Sequence, residues 1–156
     1  MDQVQQILRD PQLVVSGIAR RCHYDAGEPI VVEGSQDRSL YLIETGTVRV
    51  SGRVELEDQR HIQPGLCDLG AGEVFGELSL FESAPRSASV VAVGPCDLLV
   101  FDAAALAAHF DRVPEQGYLV LKALFSVLNQ RLRQADRRVG SLFAWGLKAH
   151  GIDHHL

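Results

Sequence analysis

The stretch Phe75-Gly76-Glu77-Leu78-Ser79-Leu80-Phe81-Glu82-Ser83-Ala84-Pro85-Arg86-Ser87-Ala88-Ser89-Val90 brings two acids, a cation, a glycine, two alanines and four serine hydroxyls into one short run. Gly76 lets a backbone come close to a bound group. Glu77 to Phe81 reads as a single helical turn, containing Leu78 and Ser79, whose free N–H groups and positive dipole end face an anion. Arg86 supplies a guanidinium for a phosphate, and Glu77 an acceptor for a sugar hydroxyl. Ser87 adds a hydroxyl donor beside the guanidinium, and the small Ala88 leaves its own N–H open to a second phosphate oxygen. Pro85 holds the approach to Arg86 extended.

Around this run, from Gly27 to about Asp102, the sequence falls into short β-rich segments separated by turn residues, the rhythm of a β-sandwich or barrel. Glu28 to Val32, Ser39 to Ile43, Thr47 to Val50, Val54 to Leu56 and Ser87 to Val93 are the clearest strands, and residues 53–64 read as an inserted hairpin. Glu33-Gly34, Glu44-Thr45-Gly46, Leu69-Gly70-Ala71-Gly72 and Gly94-Pro95 are the turns between them. Ahead of the block, Gln3 to Leu8 and Leu13 to Arg20 read as short helical pieces broken at Pro11, which makes residues 1–25 a helical lead-in.

Beyond Phe101 the pattern turns helical. Asp102 is placed to cap a helix over Ala103 to Phe110, Pro114 can open a second one, and no helix breaker follows until Gly140. In the second helix Leu121, Phe125, Leu128, Leu132, Ala135, Val139 and Leu142 recur at alternating steps of four and three, the seam of a coiled coil, so the spacing predicts a homodimer.

The bulk properties fit one domain spanning residues 1–156: 46% hydrophobic, 22% charged, and a formal net charge of −5. That charge argues against DNA as a partner, because a nucleic-acid binder needs net attraction to phosphate backbones. No apolar run approaches the ~20 residues of a membrane span, and Met1-Asp2-Gln3 does not begin a signal peptide, so a cytoplasmic chain is expected. Cys22, Cys67 and Cys96 are scattered and form neither a disulfide framework nor a zinc motif. His150, His154 and His155 crowd the C-terminus without a carboxylate or cysteine beside them, and His23, His61 and His109 are far apart, so no metal site is expected.

The run F-G-E-L-x-L followed by P-R-S-A-x-V resembles the phosphate-binding cassette of cyclic-nucleotide-binding domains, the type in the catabolite activator protein and the regulatory subunits of cyclic-AMP-dependent kinase. Ala26-Gly27-Glu28-Pro29-Ile30 with Glu33-Gly34, and Leu40-Tyr41-Leu42-Ile43 leading to Gly46 and Val48, look like that family's first strands. The resemblance implies a mainly β fold, an eight-stranded jelly roll (a double-stranded β-helix) over residues 26–102 with its cassette at 75–90. Flanking helices over residues 103–149 would include a long C-terminal dimerisation helix. It further implies that Glu77 binds the ribose and that Arg86 and Ser87 bind the cyclic phosphate, with the final helix closing over the base. Aligned on Val139-Gly140-Ser141-Leu142, the positions expected near the base hold Ala135 and Asp136. A carboxylate there could accept from guanine, whereas family frequency favours cyclic AMP over cyclic GMP.

Only eleven residues follow Trp145, with no helix-turn-helix among them, so the expectation is a stand-alone sensor, or a fragment whose output domain is missing, that signals to a dimer or a protein effector. A cyclic nucleotide is expected as ligand, and no cofactor as catalyst. An effector-free dimerisation or protein-docking module with the same fold is the alternative. An enzyme is disfavoured, because the sequence offers no nucleophile-base pair with an orienting group, no metal cluster and no extended phosphate loop.

Overall fold

Turn residues every few positions cut the first two-thirds of the chain into short strands, most of which pair antiparallel with partners far away in sequence. The computed structural model describes residues 2–52, 54–55, 61–62 and 65–149. In chain order these form α1 (Asp2–Leu8), α2 (Pro11–Val15), β1 (Ala19–Tyr24), β2 (Pro29–Val31), β3 (Ser39–Thr45), β4 (Val48–Ser51), β5 (Val54–Glu55) and β6 (His61–Ile62). There follow β7 (Gly65–Leu69), β8 (Val74–Phe75), a 3₁₀ turn (Glu77–Leu80), β9 (Ser89–Ala92), β10 (Cys96–Asp102), α3 (Ala103–Arg112) and α4 (Pro114–Ala149). The chain separates into two compact units, Met1–Gly117 and Tyr118–Leu156.

In the first unit, one four-stranded sheet runs β1-β10-β3-β8 and a second runs β2-β9-β4-β7, both antiparallel. β5 and β6 pair separately, where the inserted hairpin was expected; residues 53, 56–60 and 63–64 of that insertion lie outside the described residues, as do His150, His154 and His155. Tyr41, Ile43, Phe75, Leu98 and Val100 of the first sheet meet Val31, Val48, Leu69, Val90 and Ala92 of the second in one buried cluster. The alternate residues Leu40, Leu42, Leu99 and Phe101 are also buried, as are Val4, Leu8, Leu13 and Leu106 of the helices. Strands buried on both faces lose the polar alternation of a surface strand, which is why Leu98 to Phe101 reads as an unbroken apolar run. Burying each such side chain contributes about 1.5–3 kcal/mol.

The lead-in does hold two short helices with the break before Pro11, and Pro11 itself opens α2: it occupies the first turn, where no N–H is needed, and the Asp10 carboxylate accepts from the Gln12 amide at 3.0 Å. The extent of the second piece is corrected. The chain is not helical to Arg20 or to residue 25, because Gly17 at φ 81° ends the helix and Ala19–Tyr24 is an edge strand paired with β10. Its open edge tolerates Arg20 and Arg21, so the strand carries little apolar alternation. The expected starts of the two C-terminal helices hold. Asp102 caps α3 by accepting from the Ala105 amide at 3.1 Å, Pro114 opens α4, and α4 continues through Gly140 to Ala149.

Across β1, β10 and β3 the register places His23 opposite Asp97 and Asp97 opposite Thr45. His23 Nδ1 lies 2.8 Å from Asp97 Oδ1 and its Nε2 lies 3.2 Å from Asp25 Oδ1, while the Thr45 hydroxyl donates to Asp97 at 2.9 Å. A ring with an acceptor on each nitrogen favours the doubly protonated imidazolium. The hydrogen bond to Asp97, then that to Asp25, raises His23 above its ordinary 6.5. A raised folded-state value means the contribution is complete below the unfolded value and is lost as pH rises through the folded one. Thermal unfolding of wild type and His23→Gln should therefore differ most in mildly acidic buffer and converge in alkaline buffer. A gap that does not change with pH would show that the imidazolium is not the species held.

Candidate functional site

The cassette run is built by turn chemistry at one end and by strand-like pairing at the other. Gly76 has φ 77°, a conformation L-residues rarely adopt, and leads into the 3₁₀ turn, where Ser79 N–H donates to Gly76 O at 3.1 Å and Phe81 N–H to Leu78 O at 3.1 Å. At the other end Arg86 N–H donates to Ser35 O at 2.9 Å and Gly34 N–H to Arg86 O at 2.8 Å, so the backbone of Arg86 is pinned to the β2–β3 connection. Glu33 N–H donates to the Ser89 hydroxyl at 2.9 Å and extends that seam into β9. Within the turn Glu77, Ser79 and Leu80 are buried, whereas Leu78 and Phe81 are exposed. Ser87 is exposed and Ala88 half-buried.

Gly76 and Arg86 are brought together. A Cβ at Gly76 would lie 3.1 Å from Arg86 Nη1 and 2.6 Å from Ser39 O. The Arg86 side chain is 10% exposed, and its Nη2 donates to Ser39 O and to Asp37 Oδ2, the latter at 3.3 Å. Its Cζ stands 6.0 Å from the Tyr41 ring centroid, and that ring stacks on Phe75 at 4.6 Å and 6°. Its buried Nε has no hydrogen-bond acceptor among the described residues.

Asp37 gathers the group. Its carboxylate accepts from the Tyr41 hydroxyl at 2.7 Å and from the Ser39 hydroxyl at 2.8 Å, in addition to Arg86. Burial pushes its carboxyl up, but the bonds from Tyr41 and Ser39 and the Arg86 charge outweigh burial and hold it below its ordinary value. Burial, then the bond to this carboxylate, pushes the Tyr41 phenol far above the usual range. Asp37 thus stays ionised and Tyr41 neutral, and together they orient a cation that is largely out of water.

Sequence reading missed Asp37, Ser39 and Tyr41. A signal was there: three hydrogen-bonding side chains at every second position, entering a strand, fall on one face. Between them Arg38 donates from Nη2 to Ser79 O at 3.0 Å, and its own carbonyl accepts from the Ala103 amide at 3.1 Å. In the second unit Leu121, Phe125, Leu132, Val139 and Leu142 of the predicted seam are exposed, as are Ala135 and Asp136, and Leu128 is half-buried. Among the described residues no group of His, Cys, Asp and Glu could hold a metal ion, and no helix is long and apolar enough to cross a membrane.

Residues 21–112 match the sequence profile described as "Cyclic nucleotide-binding domain". The chain is 40% identical over 124 residues to the "Cyclic AMP receptor protein" of Thermus thermophilus, covering 80% of this chain and 53% of that protein. It is 41% identical over 78 residues to the "cAMP-dependent protein kinase type II regulatory subunit" of Drosophila melanogaster, covering 50% of this chain and 19% of that one. The chain therefore spans about half the length of the first of these relatives and a fifth of the second. Among solved structures, the Thermus thermophilus catabolite activator protein superposes with a TM-score of 0.65 at 34% identity, over 86% of this chain and 60% of that one. A cyclic nucleotide-binding domain from Methylobacillus flagellatus superposes with a TM-score of 0.69 at 26% identity, over 88% and 80%. With two antiparallel sheets, a glycine-led turn and an adjoining arginine in the matched region, the chain belongs to the cyclic nucleotide-binding domain family.

Proposed function

We propose that the chain binds a cyclic nucleotide monophosphate in the 75–90 cassette, with cyclic AMP preferred to cyclic GMP, and acts as a regulatory sensor and not as a catalyst. The observation that carries this reading is the Arg86 guanidinium, held beside Gly76 by Asp37 and Ser39 with a buried Nε–H lacking an acceptor among the described residues. A phosphate oxygen would supply that acceptor. In this reading the turn led by Gly76, with Leu78 and Ser79, faces the phosphate, the Glu77 carboxylate takes the 2′-hydroxyl, and Ser87 and Ala88 complete the phosphate contacts. The preference for cyclic AMP rests on the naming of the relatives above. The exposed row Leu121, Phe125, Leu132, Val139 and Leu142 supports a homodimer through α4, and that surface or its neighbourhood is where a protein effector would read the state. The same exposed row favours, as a second reading, an effector-free dimerisation or docking module.

Thermal unfolding with cyclic AMP, cyclic GMP and linear 5′-AMP separates the two. Ligand at a hundred times its dissociation constant adds ~2.7 kcal/mol, a rise of ~5–11 °C for a domain of this size. A rise with a cyclic nucleotide and none with 5′-AMP is expected. No rise at millimolar ligand would transfer the assignment to the docking module.

A further inference from the structure

Three consecutive residues at the entrance to β3 serve two different structures. Asp37 and Ser39 hold Arg86 on one side, through a carboxylate and a main-chain carbonyl. In an extended segment the residue between them points the other way, and there the Arg38 guanidinium holds the Ser79 carbonyl at 3.0 Å. That carbonyl lies at the C-terminal end of the 3₁₀ turn, where helical carbonyls lack partners within the helix. The two amides that follow the turn, those of Phe81 and Glu82, both donate to Leu78 O at 3.1 Å. Ser79 is buried, with 6% of its surface exposed, so its carbonyl needs a protein donor.

The same residue reaches α3. Arg38 O accepts from the amide of Ala103, the first residue of that helix, and α3 packs beside the turn with Ala103, Leu106 and Leu80 all buried. We propose that Arg38 is the positioning residue of the cassette: its side chain orders the turn, its carbonyl holds the start of α3, and order at the two places therefore rises and falls together. The part concerning ligand rests on the cyclic-nucleotide reading above, whereas the coupling itself is a property of the free protein.

The test is amide hydrogen exchange on the full chain for wild type, Arg38→Met and Arg38→Lys, without and with cyclic AMP. Without ligand, Arg38→Met should speed exchange about tenfold at residues 77–82 and at Ala103, the scale of one lost hydrogen bond. The β10 amides Leu98 to Phe101 should be unchanged, and Arg38→Lys, which keeps a cationic N–H donor, should recover part of the protection. With cyclic AMP, wild type should gain protection at both places, and Arg38→Met should bind about tenfold more weakly and lose the gain at Ala103. A turn that loosens while Ala103 is unaffected would overturn the coupling. No change at either place, or equal loosening of β10, would overturn the positioning role. Should Arg38→Met not fold, Arg38→Lys against wild type carries the same comparison. Failure of wild type to bind cyclic AMP or cyclic GMP would defeat the ligand reading alone, since the ligand-free exchange still decides the role of Arg38.

Discussion

Arg86→Ala is expected to weaken cyclic-nucleotide binding by ~2–5 kcal/mol, roughly thirty- to several-thousand-fold, because it removes the desolvated partner of a buried phosphate charge. Folding should survive. The Asp37 carboxylate keeps the Tyr41 and Ser39 hydroxyls at 2.7 and 2.8 Å, and the backbone bonds of residue 86 to the β2–β3 connection do not depend on its side chain. Arg86→Lys should fall between the two, since an ammonium keeps the charge but cannot present the guanidinium's fixed fork to Asp37, Ser39 O and a ligand at once. Calorimetric titration of the three proteins with cyclic AMP reads the order directly. Equal affinity in Arg86→Ala and wild type would mean that no phosphate sits at this guanidinium.

Gly76→Ala should be the most damaging single methyl group in the cassette. The added Cβ would stand 2.6 Å from Ser39 O, a main-chain atom of β3 that also accepts from Arg86, and it would do so at φ 77°. Backbone strain of ~1–2 kcal/mol adds to the cost of moving a sheet carbonyl, for a total near 2–4 kcal/mol and a fall in melting temperature of ~5–15 °C. Gly27→Ala is the control. It has nearly the same backbone angle, φ 83°, but nothing within 4 Å of its Cβ, so it reports strain without the clash. Scanning calorimetry of both variants separates the terms. If the two melted alike, the close approach at Gly76 would be of no energetic consequence.

The difference between these glycines is invisible in sequence, and it marks where sequence reading stops. Both have a positive φ in the structure, whereas the sequence reading places Gly27 in a first strand and takes Gly76 as a point of close backbone approach. What faces the missing Cβ depends on a strand that lies far away along the chain. The same division runs through the fold. The cap at Asp102, the helix start at Pro114 and the turn at Glu77–Leu80 were readable because each is decided by residues within one turn of one another. β1 was not, because an edge strand carrying Arg20 and Arg21 acquires its identity from β10, more than seventy residues on.

By itself, then, the sequence determined the mainly β class, the helical C-terminal third, the spacing of Glu77 and Arg86, and membership of a phosphate-binding cassette family, since these rest on neighbours in the chain and on the chemistry of single side chains. Only the tertiary structure decided that Arg86 is held by Asp37 and Ser39 from 49 and 47 positions away, that Tyr41 and Phe75 stack beside it, and that Arg38 links the turn to α3. The reason is physical. A buried cation must be paired, and which carboxylate and which carbonyl pair with it follows from the backbone bonds that pin Arg86 to the β2–β3 connection, a pairing that no local pattern encodes.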